Sequence, residues 1–490
     1  MTVDTANLGN HASRGAVQTV VWQAVRVGSQ VIGLVALARL LSPSDFGLVA
    51  MTTAVVGIGE IIRDAGLSIA AIQAKHLSKG QKNNLFWVNT GIGLLFAVIV
   101  YASSGAIAAF YGDARIEPIG QLLSVTFLLN GMATQFRSEL NRQMRFFALN
   151  AADTLPQVMA LAAALVYASL TGSYYALVAQ QLMAAFAGLV LVVAIARWTP
   201  GLPSRREPMR GFFRYGGGVA GSHMVSYLTK NVDTVAIGYV WGAASLGLYS
   251  RAYQLLLLPL NQLLFPMTRV ALPVLSRLQD EPERFTSFLR KGQRIGGVIA
   301  AVTYGLLVGI ADPLIGLFFG EQWLPLVPIF QVLALGGLFR ALAQVQFWAY
   351  LALGLTGHQL RYSLVSQPLI AACMMLGVIW GPIGVAVAHS AAFACNWLVG
   401  LWWCQRVSGL NLRSLMTDGL RSFFLMFLPI AVLGACSVIL VSHWLLAIIA
   451  AVAVPGCYIA VLLYCVPASR LDVVMVAEVV RQGMKRRSAS

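Results

Sequence analysis

The chain has 490 residues, of which 58% are hydrophobic and only 11% charged; with a mean hydropathy of +0.75 this excludes a soluble globular surface and describes a polytopic membrane protein. The formal net charge is +16. With no soluble domain to carry a basic face, nucleic acid is excluded as a partner and the charge reports on topology.

Apolar runs of roughly 18 to 25 residues recur from Val17 almost to the C-terminus, each long enough to cross about 30 Å of hydrocarbon as a helix. Backbone hydrogen bonding in lipid allows only helices or a closed barrel, and long unbroken runs rather than alternating segments exclude the barrel. The expected fold is therefore all-α and integral to the membrane. About fourteen transmembrane helices are expected, beginning near Val17, Phe46, Leu85, Pro118, Ala148, Tyr174, Tyr215, Ala244, Ile295, Pro325, Leu360, Pro382, Ser422 and His443.

The expected organisation is a cytoplasmic N-terminus (1–16), an N-lobe of spans one to six (17–197), a cytoplasmic linker (198–214), a C-lobe of spans seven to twelve (215–405), a C-terminal helix pair (422–466) and a basic cytoplasmic tail (467–490). The polar stretch before Ala16 lacks the basic, apolar and small-residue regions of a signal peptide, so none is expected to be removed.

Every other connection is basic. Lys75, Lys79 and Lys82 follow the second span, Arg137, Arg142 and Arg145 the fourth, Arg205, Arg206 and Arg210 the sixth, and Arg284, Arg290, Lys291 and Arg294 the eighth. The intervening loops are short and nearly free of Lys and Arg, so the positive-inside rule places both termini in the cytoplasm. The tail MKRRSAS suits contact with anionic membrane lipids. Six cysteines near the last four spans lack metal-ligand spacing and read as small core residues, so no metal is expected.

Sliding the chain by 200 positions aligns Arg14 with Arg214, Val35 with Val235, Ala36 with Ala236 and Gly47-Leu48 with Gly247-Leu248. Gln23, Arg26 and Gln30 form an i, i+3, i+7 stripe on the first span, and His223, Ser226 and Lys230 form one at the same register on the seventh. FYGD (Phe110 to Asp113) has its counterpart in FFGE (Phe318 to Glu321). Two pseudo-symmetric six-helix lobes of the same topology imply a binding site between them, with the last two spans appended.

The stretch GEIIRDAGL puts Glu60, Arg63 and Asp64 on one helical face inside an apolar run. Each charge at mid-membrane costs about 2.5 to 3.5 kcal/mol on insertion scales, so such residues face a partner or a wet cavity. For this triplet alone, a buried pair of Arg63 with Glu60 or Asp64 is the alternative to a cavity. Arg26, Lys230, Asp233, Arg251, Arg269 and Arg340 tilt the balance, because intramembrane cations then outnumber anions. Arg251 and Arg269 sit near span ends, where they can also snorkel.

A cationic cavity complements an anionic cargo, since Arg offers phosphate a planar fork of donors and Lys a point charge. The candidate cargo-binding set is Arg26, Arg63, Lys230, Arg251, Arg269 and Arg340 with Gln23 and Gln30. No cofactor is expected. Glu60, Asp64, Asp233 and His223 are the candidates for coupling to H⁺ or Na⁺, with permanently paired carboxylates as the alternative.

The stretch LARLLSPSDFGLVAM (Leu37 to Met51), followed by RDAGLSIAAIQ (Arg63 to Gln73), FYGD, NVDTVAIGYVWGAASLGLYSRAYQL (Asn231 to Leu255) and FFGEQW (Phe318 to Trp323), resembles the polysaccharide-exporter family, close to its colanic-acid exporter branch. That superfamily also holds the multidrug and toxic compound extruders and the lipid II flippase. The resemblance spans residues 14 to 405. It implies flipping of undecaprenyl-pyrophosphate-linked oligosaccharide repeat units across a bacterial inner membrane, for exopolysaccharide or lipopolysaccharide biosynthesis, by alternating access. Polysaccharide polymerase or export proteins are the implied protein partners. Where the family often carries a basic residue after the VD or YD of span seven, this chain has Asp233-Thr234 preceded by Lys230, so no family role is transferred there.

Two alternatives share the fold. An ion-coupled multidrug antiporter calls for an acidic or aromatic cavity, against the charge balance here, and a lipid II-type flippase carries a similar anionic headgroup. An enzyme needs an exposed loop bearing catalytic residues, and none is evident; DEPER (Asp280 to Arg284) reads as a solvated turn. The protein is therefore not expected to be an enzyme.

Overall fold

The computed structural model describes the backbone of residues 5–466 except positions 65, 75, 205, 206 and 442, and its described side chains exclude residues 5–20, 61–64, 69, 73, 215, 217–223, 225, 226, 228–230 and 265. The described chain is helical, with no strand among its residues. In order the helices are α1 (Thr5–Leu40), α2 (Pro43–Asp64), α3 (Leu67–Gln73), α4 (Lys79–Tyr111), α5 (Ile116–Arg142), α6 (Phe146–Thr171), α7 (Tyr175–Ala196) and α8 (Arg210–Pro259). They continue with α9 (Thr268–Arg277), α10 (Pro282–Gly309), α11 (Ala311–Phe318), α12 (Leu326–Ala352), α13 (Thr356–Gly377), α14 (Gly381–Ser408), α15 (Arg413–Ser422), α16 (Leu428–Leu440) and α17 (Trp444–Cys465).

Every expected span start falls inside one of these helices or at its N-cap. Among the described residues, eight helical stretches are long and apolar enough to cross a membrane, or ten when each of two bent pairs is one span. The protein is a multi-pass membrane protein of all-α class; the span count of fourteen is not reproduced. By backbone proximity the chain forms two compact units, Met1–Gly247 and Leu248–Ser490.

In the first unit α4 and α5 pack most intimately. The reason is a pair of glycines: a Cβ on Gly93 would meet the Phe127 carbonyl oxygen at 2.6 Å, and one on Gly131 the Asn89 carbonyl oxygen at 2.7 Å. Small residues let helix backbones approach in lipid, where no hydrophobic force drives them together. Phe86, Phe136, Leu140, Ala152 and Val192 close the core beside them.

The apolar run after Phe46 forms two helices, α2 and α3. Gly66 takes the left-handed conformation (φ 60°) and α3 starts beyond it. Arg142 Nη1 donates to the carbonyls of Ala71 (2.5 Å) and Ala74 (2.7 Å), satisfying the C-terminal end of α3. The chain after α7 is strapped to the start of α4. Asn84 exchanges two hydrogen bonds with the Ser204 backbone, both 2.7 Å, and Trp87 Nε1 donates to the Gly201 carbonyl at 2.9 Å.

The 200-residue register has a direct structural trace within this unit. Gly47 lies against the Ala243 carbonyl and Gly247 against the Pro43 carbonyl, a reciprocal contact between positions the offset equates. Any side chain at either glycine would strike backbone. Gly112 of FYGD and Gly320 of FFGE likewise both end their helices at positive φ, 70° and 101°.

The second unit is built around α12, which packs against α10 and α14 and has most of its length buried. Trp323, Trp397 and Tyr304 are fully buried, and Tyr304 donates its hydroxyl to the Leu256 carbonyl at 2.7 Å. α16 and α17 pair with each other, and α16 meets α10 where Gly309 and Gly434 face one another.

Candidate functional site

Each unit contains a cavity of its own with charged side chains on its wall. In the first unit a hollow of about 840 Å³ is walled by α1, α2, α3, α5, α6 and α7. Arg26 and Glu60 line it, as do Arg137 and Asp153, which pair at 3.1 Å. Side-chain amides of Asn130, Asn141, Gln157, Gln180 and Gln181 form much of the remaining wall. The hydroxyls of Thr126, Thr134 and Ser138, by contrast, donate to carbonyls of their own helix.

In the second unit a cavity of about 580 Å³ is lined by Arg269 and Arg340 together with Gln344, Asn396, Phe347 and Phe393. Arg340 Nη1 donates to the Tyr253 hydroxyl at 2.9 Å, and its guanidinium carbon stands 4.9 Å from the Phe393 ring centre. Cation–π contact and one fixed hydrogen bond hold the fork in place, while the weakly hydrated guanidinium keeps its other donors available. The buried His389 ring packs on Phe393 (4.6 Å) and Tyr253 (5.7 Å) behind it. Thr268, on the opposite wall, accepts from Gln344 Nε2 (3.1 Å) and Trp348 Nε1 (2.8 Å). No carboxylate lines this cavity, and among the described residues neither Arg269 nor Arg340 has an ion-pair partner.

The structure thus groups Arg26 with Glu60 and Arg269 with Arg340. Gln23 and Gln30 lie exposed on α1 on either side of Arg26 without lining the cavity. Arg251 donates to Gln254 Oε1 at 2.6 Å and Asp233 accepts from the Thr234 amide at 2.8 Å, and neither lines one of these two cavities. The side chains of Arg63, Asp64, His223 and Lys230 lie outside the described residues.

Sequence reasoning missed the amides and the Arg137–Asp153 pair. Arg137 was read as part of a basic connection, yet α5 continues to Arg142 and places it on the cavity wall. A usable signal was present, because Thr126, Asn130, Thr134, Arg137 and Asn141 recur every three or four residues along α5.

Comparison with known proteins bears out the resemblance. The family described as "Polysaccharide biosynthesis protein" matches residues 36–328. This chain belongs to that family. Its relatives include the teichuronic acid biosynthesis protein TuaB of Bacillus subtilis (strain 168), 28% identical over 380 residues, covering 75% of this chain and 76% of the relative. The lipopolysaccharide biosynthesis protein WzxC of Escherichia coli (strain K12) is 24% identical over 330 residues, covering 67% of each chain. The succinoglycan biosynthesis transport protein ExoT of Rhizobium meliloti (strain 1021) is 25% identical over 299 residues, covering 61% of this chain and 60% of the relative.

Among solved structures, the lipid II flippase MurJ in an inward closed conformation superposes with a TM-score of 0.68 at 15% identity, over 90% of this chain and 98% of that one. An inward-facing multidrug resistance MATE family transporter of the MOP superfamily gives 0.63 at 13% identity, over 79% and 95%. At such identities the likeness establishes the fold they share.

Proposed function

We propose that the protein is a flippase that carries undecaprenyl-pyrophosphate-linked oligosaccharide repeat units from the cytoplasmic to the periplasmic leaflet of a bacterial inner membrane, with both of its own termini cytoplasmic. The observation that carries this is the cavity holding Arg269 and Arg340 with no carboxylate on its wall. Two guanidiniums in one hollow, that of Arg340 held by Tyr253, without a described counter-charge complement phosphate oxygens, and repel the organic cations an antiporter of drugs must accept. The names of the relatives, all of polysaccharide or teichuronic acid biosynthesis, support a sugar-bearing cargo.

The physical task is transport. Pyrophosphate binding in a guanidinium cavity relieves the cost of taking that charge out of water, while the polyprenyl tail stays in lipid. Outward movement of a negative headgroup is favoured by about 2.3 kcal/mol per charge per 100 mV, interior negative. Alternating access resets the carrier, and Glu60, which lines the first unit's cavity, is the foremost candidate to take up H⁺ or Na⁺ on the return, with Asp64, Asp233 and His223 as the others. Arg26, Arg63, Lys230 and Arg251 complete the cargo-binding set, and a polysaccharide polymerase downstream is the proposed partner.

The test is a leaflet assay in proteoliposomes with lipid-linked repeat unit. Arg340→Gln and Arg269→Gln are expected to slow flipping at least tenfold each, the loss of one charge-assisted hydrogen bond. Wild-type rates in both variants, or transport of a cationic dye in place of the lipid-linked sugar, overturn the proposal.

A further inference from the structure

The two cavities differ in chemistry. The second unit's cavity holds two cations and no carboxylate among its described lining residues, whereas the described charges of the first balance: Arg26 and Arg137 are matched by Glu60 and Asp153. A phosphate site needs a surplus of cations, which the described lining residues of the first cavity do not supply. Its wall is defined instead by the five amides of Asn130, Asn141, Gln157, Gln180 and Gln181.

An amide presents two N–H donors and a carbonyl acceptor, and among the described residues none of these five spends its side chain on a hydrogen bond to another residue. In a membrane protein that is costly unless the amides meet water or a ligand. They come from three helices, α5, α6 and α7, so they converge on the hollow from different directions. The hydroxyls of Thr126, Thr134 and Ser138 are already committed to their own helices, which leaves the amides and the Ser68 hydroxyl as the uncharged recognition groups of this wall.

A ligand that matches such a wall carries many groups that each donate and accept, closely spaced on a compact frame and without net charge. That is a polyol. The hollow, at about 840 Å³, holds several pyranose rings by volume. We infer that the amide-walled cavity of the first unit is an oligosaccharide subsite of the carrier, where the sugar hydroxyls of the cargo are bound and discriminated. This inference rests on the flippase reading and adds to it where sugar selectivity resides.

The experiment compares three probes: lipid-linked repeat unit purified from the cells that make it, undecaprenyl pyrophosphate bearing no sugar, and the oligosaccharide released from the first by mild acid. The variants are Gln157→Met with Gln180→Met, which keeps side-chain volume while deleting both amides, and Gln181→Met alone as a milder form. Binding of the released oligosaccharide to the purified protein is expected to weaken about tenfold in the double variant, the loss of two neutral hydrogen bonds. Flipping of the sugar-bearing lipid should fall in parallel, with binding of bare undecaprenyl pyrophosphate unchanged, whereas Arg340→Gln should weaken both lipids and leave the free oligosaccharide bound.

Unaltered oligosaccharide binding in both Met variants, or an equal loss for both lipids, overturns the sugar assignment while leaving the flippase reading standing. Wild-type vesicles that flip neither lipid overturn that reading and this one with it.

Discussion

Asp418 of the second unit has three arginines around its carboxylate, and replacing it with Asn tests how that unit is held together. Its side chain is only 3% exposed and accepts from Arg290 Nε at 2.5 Å and Nη2 at 3.2 Å, with Arg421 at 3.4 Å and Arg294 at 3.7 Å. Arg290 and Arg294 belong to α10 and Asp418 to α15, so the carboxylate ties the two helices, seconded by Gln293 Nε2 donating to the Leu415 carbonyl. Removing one partner of a fully buried pair costs about 3 to 5 kcal/mol. Arg290 is 42% exposed and regains water, so the cost here is discounted to ~2–3 kcal/mol. For a unit of this size 1 kcal/mol moves Tm by about 2 to 4 °C, which gives a fall of roughly 4 to 12 °C for Asp418→Asn. The assay is thermal unfolding in detergent followed by tryptophan fluorescence, with buried Trp397 near the packed helix as a reporter, since a Cβ on Gly419 would touch its ring. Glu281→Gln, which breaks only the exposed pair with Arg284, serves as control and should leave Tm unchanged. A shift for Asp418→Asn no larger than the control's refutes the reasoning.

At the α4–α5 crossing, Gly131→Ala should destabilise by about 1 to 3 kcal/mol, because the new Cβ meets a backbone oxygen, while Gly91→Ala, with nothing within 4 Å, should be neutral or slightly stabilising in the same unfolding assay. Asn84→Ala deletes both hydrogen bonds to Ser204, about 1 to 2 kcal/mol, and should speed limited proteolysis between residues 201 and 208 roughly tenfold. Arg115 donates to Asp113 from Nε at 3.0 Å and Nη2 at 2.7 Å and holds that carboxyl below the usual carboxylate range. Since the folded value is depressed, the stabilisation is present above the unfolded value of about 3.9 and is lost as pH falls through the folded one. Amide protection in the turn before α5, corrected for the intrinsic exchange rate, should therefore hold from neutral pH down to about 4 and fall below it, and Asp113→Asn should remove that dependence.

The helical class was legible because hydrocarbon permits little else: long apolar runs have to become helices, and the expected starts all fall in or at one. Gly47 and Gly247, which the 200-residue offset equates, are both required where backbone meets backbone, and that steric demand survives when side-chain identity drifts. The site was legible only in part. Arg269 and Arg340 stand out in sequence as charges in apolar surroundings, and they do share a cavity. Gln157 and Gln180 carry no such mark, because an amide on a helix reads the same whether it faces a neighbour, water or a hollow.

Sequence by itself therefore determined the class, the helix positions and the alternation of basic connections, which follow from the solvent the chain must satisfy residue by residue. Tertiary structure decided the rest. Gly66 ends α2 through its left-handed backbone, Arg137 turns from a loop charge into part of a cavity wall, and amides from three helices meet around one balanced hollow while two guanidiniums meet in another. Convergence of that kind depends on how helices pack, and packing is set by contacts between residues far apart in the chain, which no local pattern records.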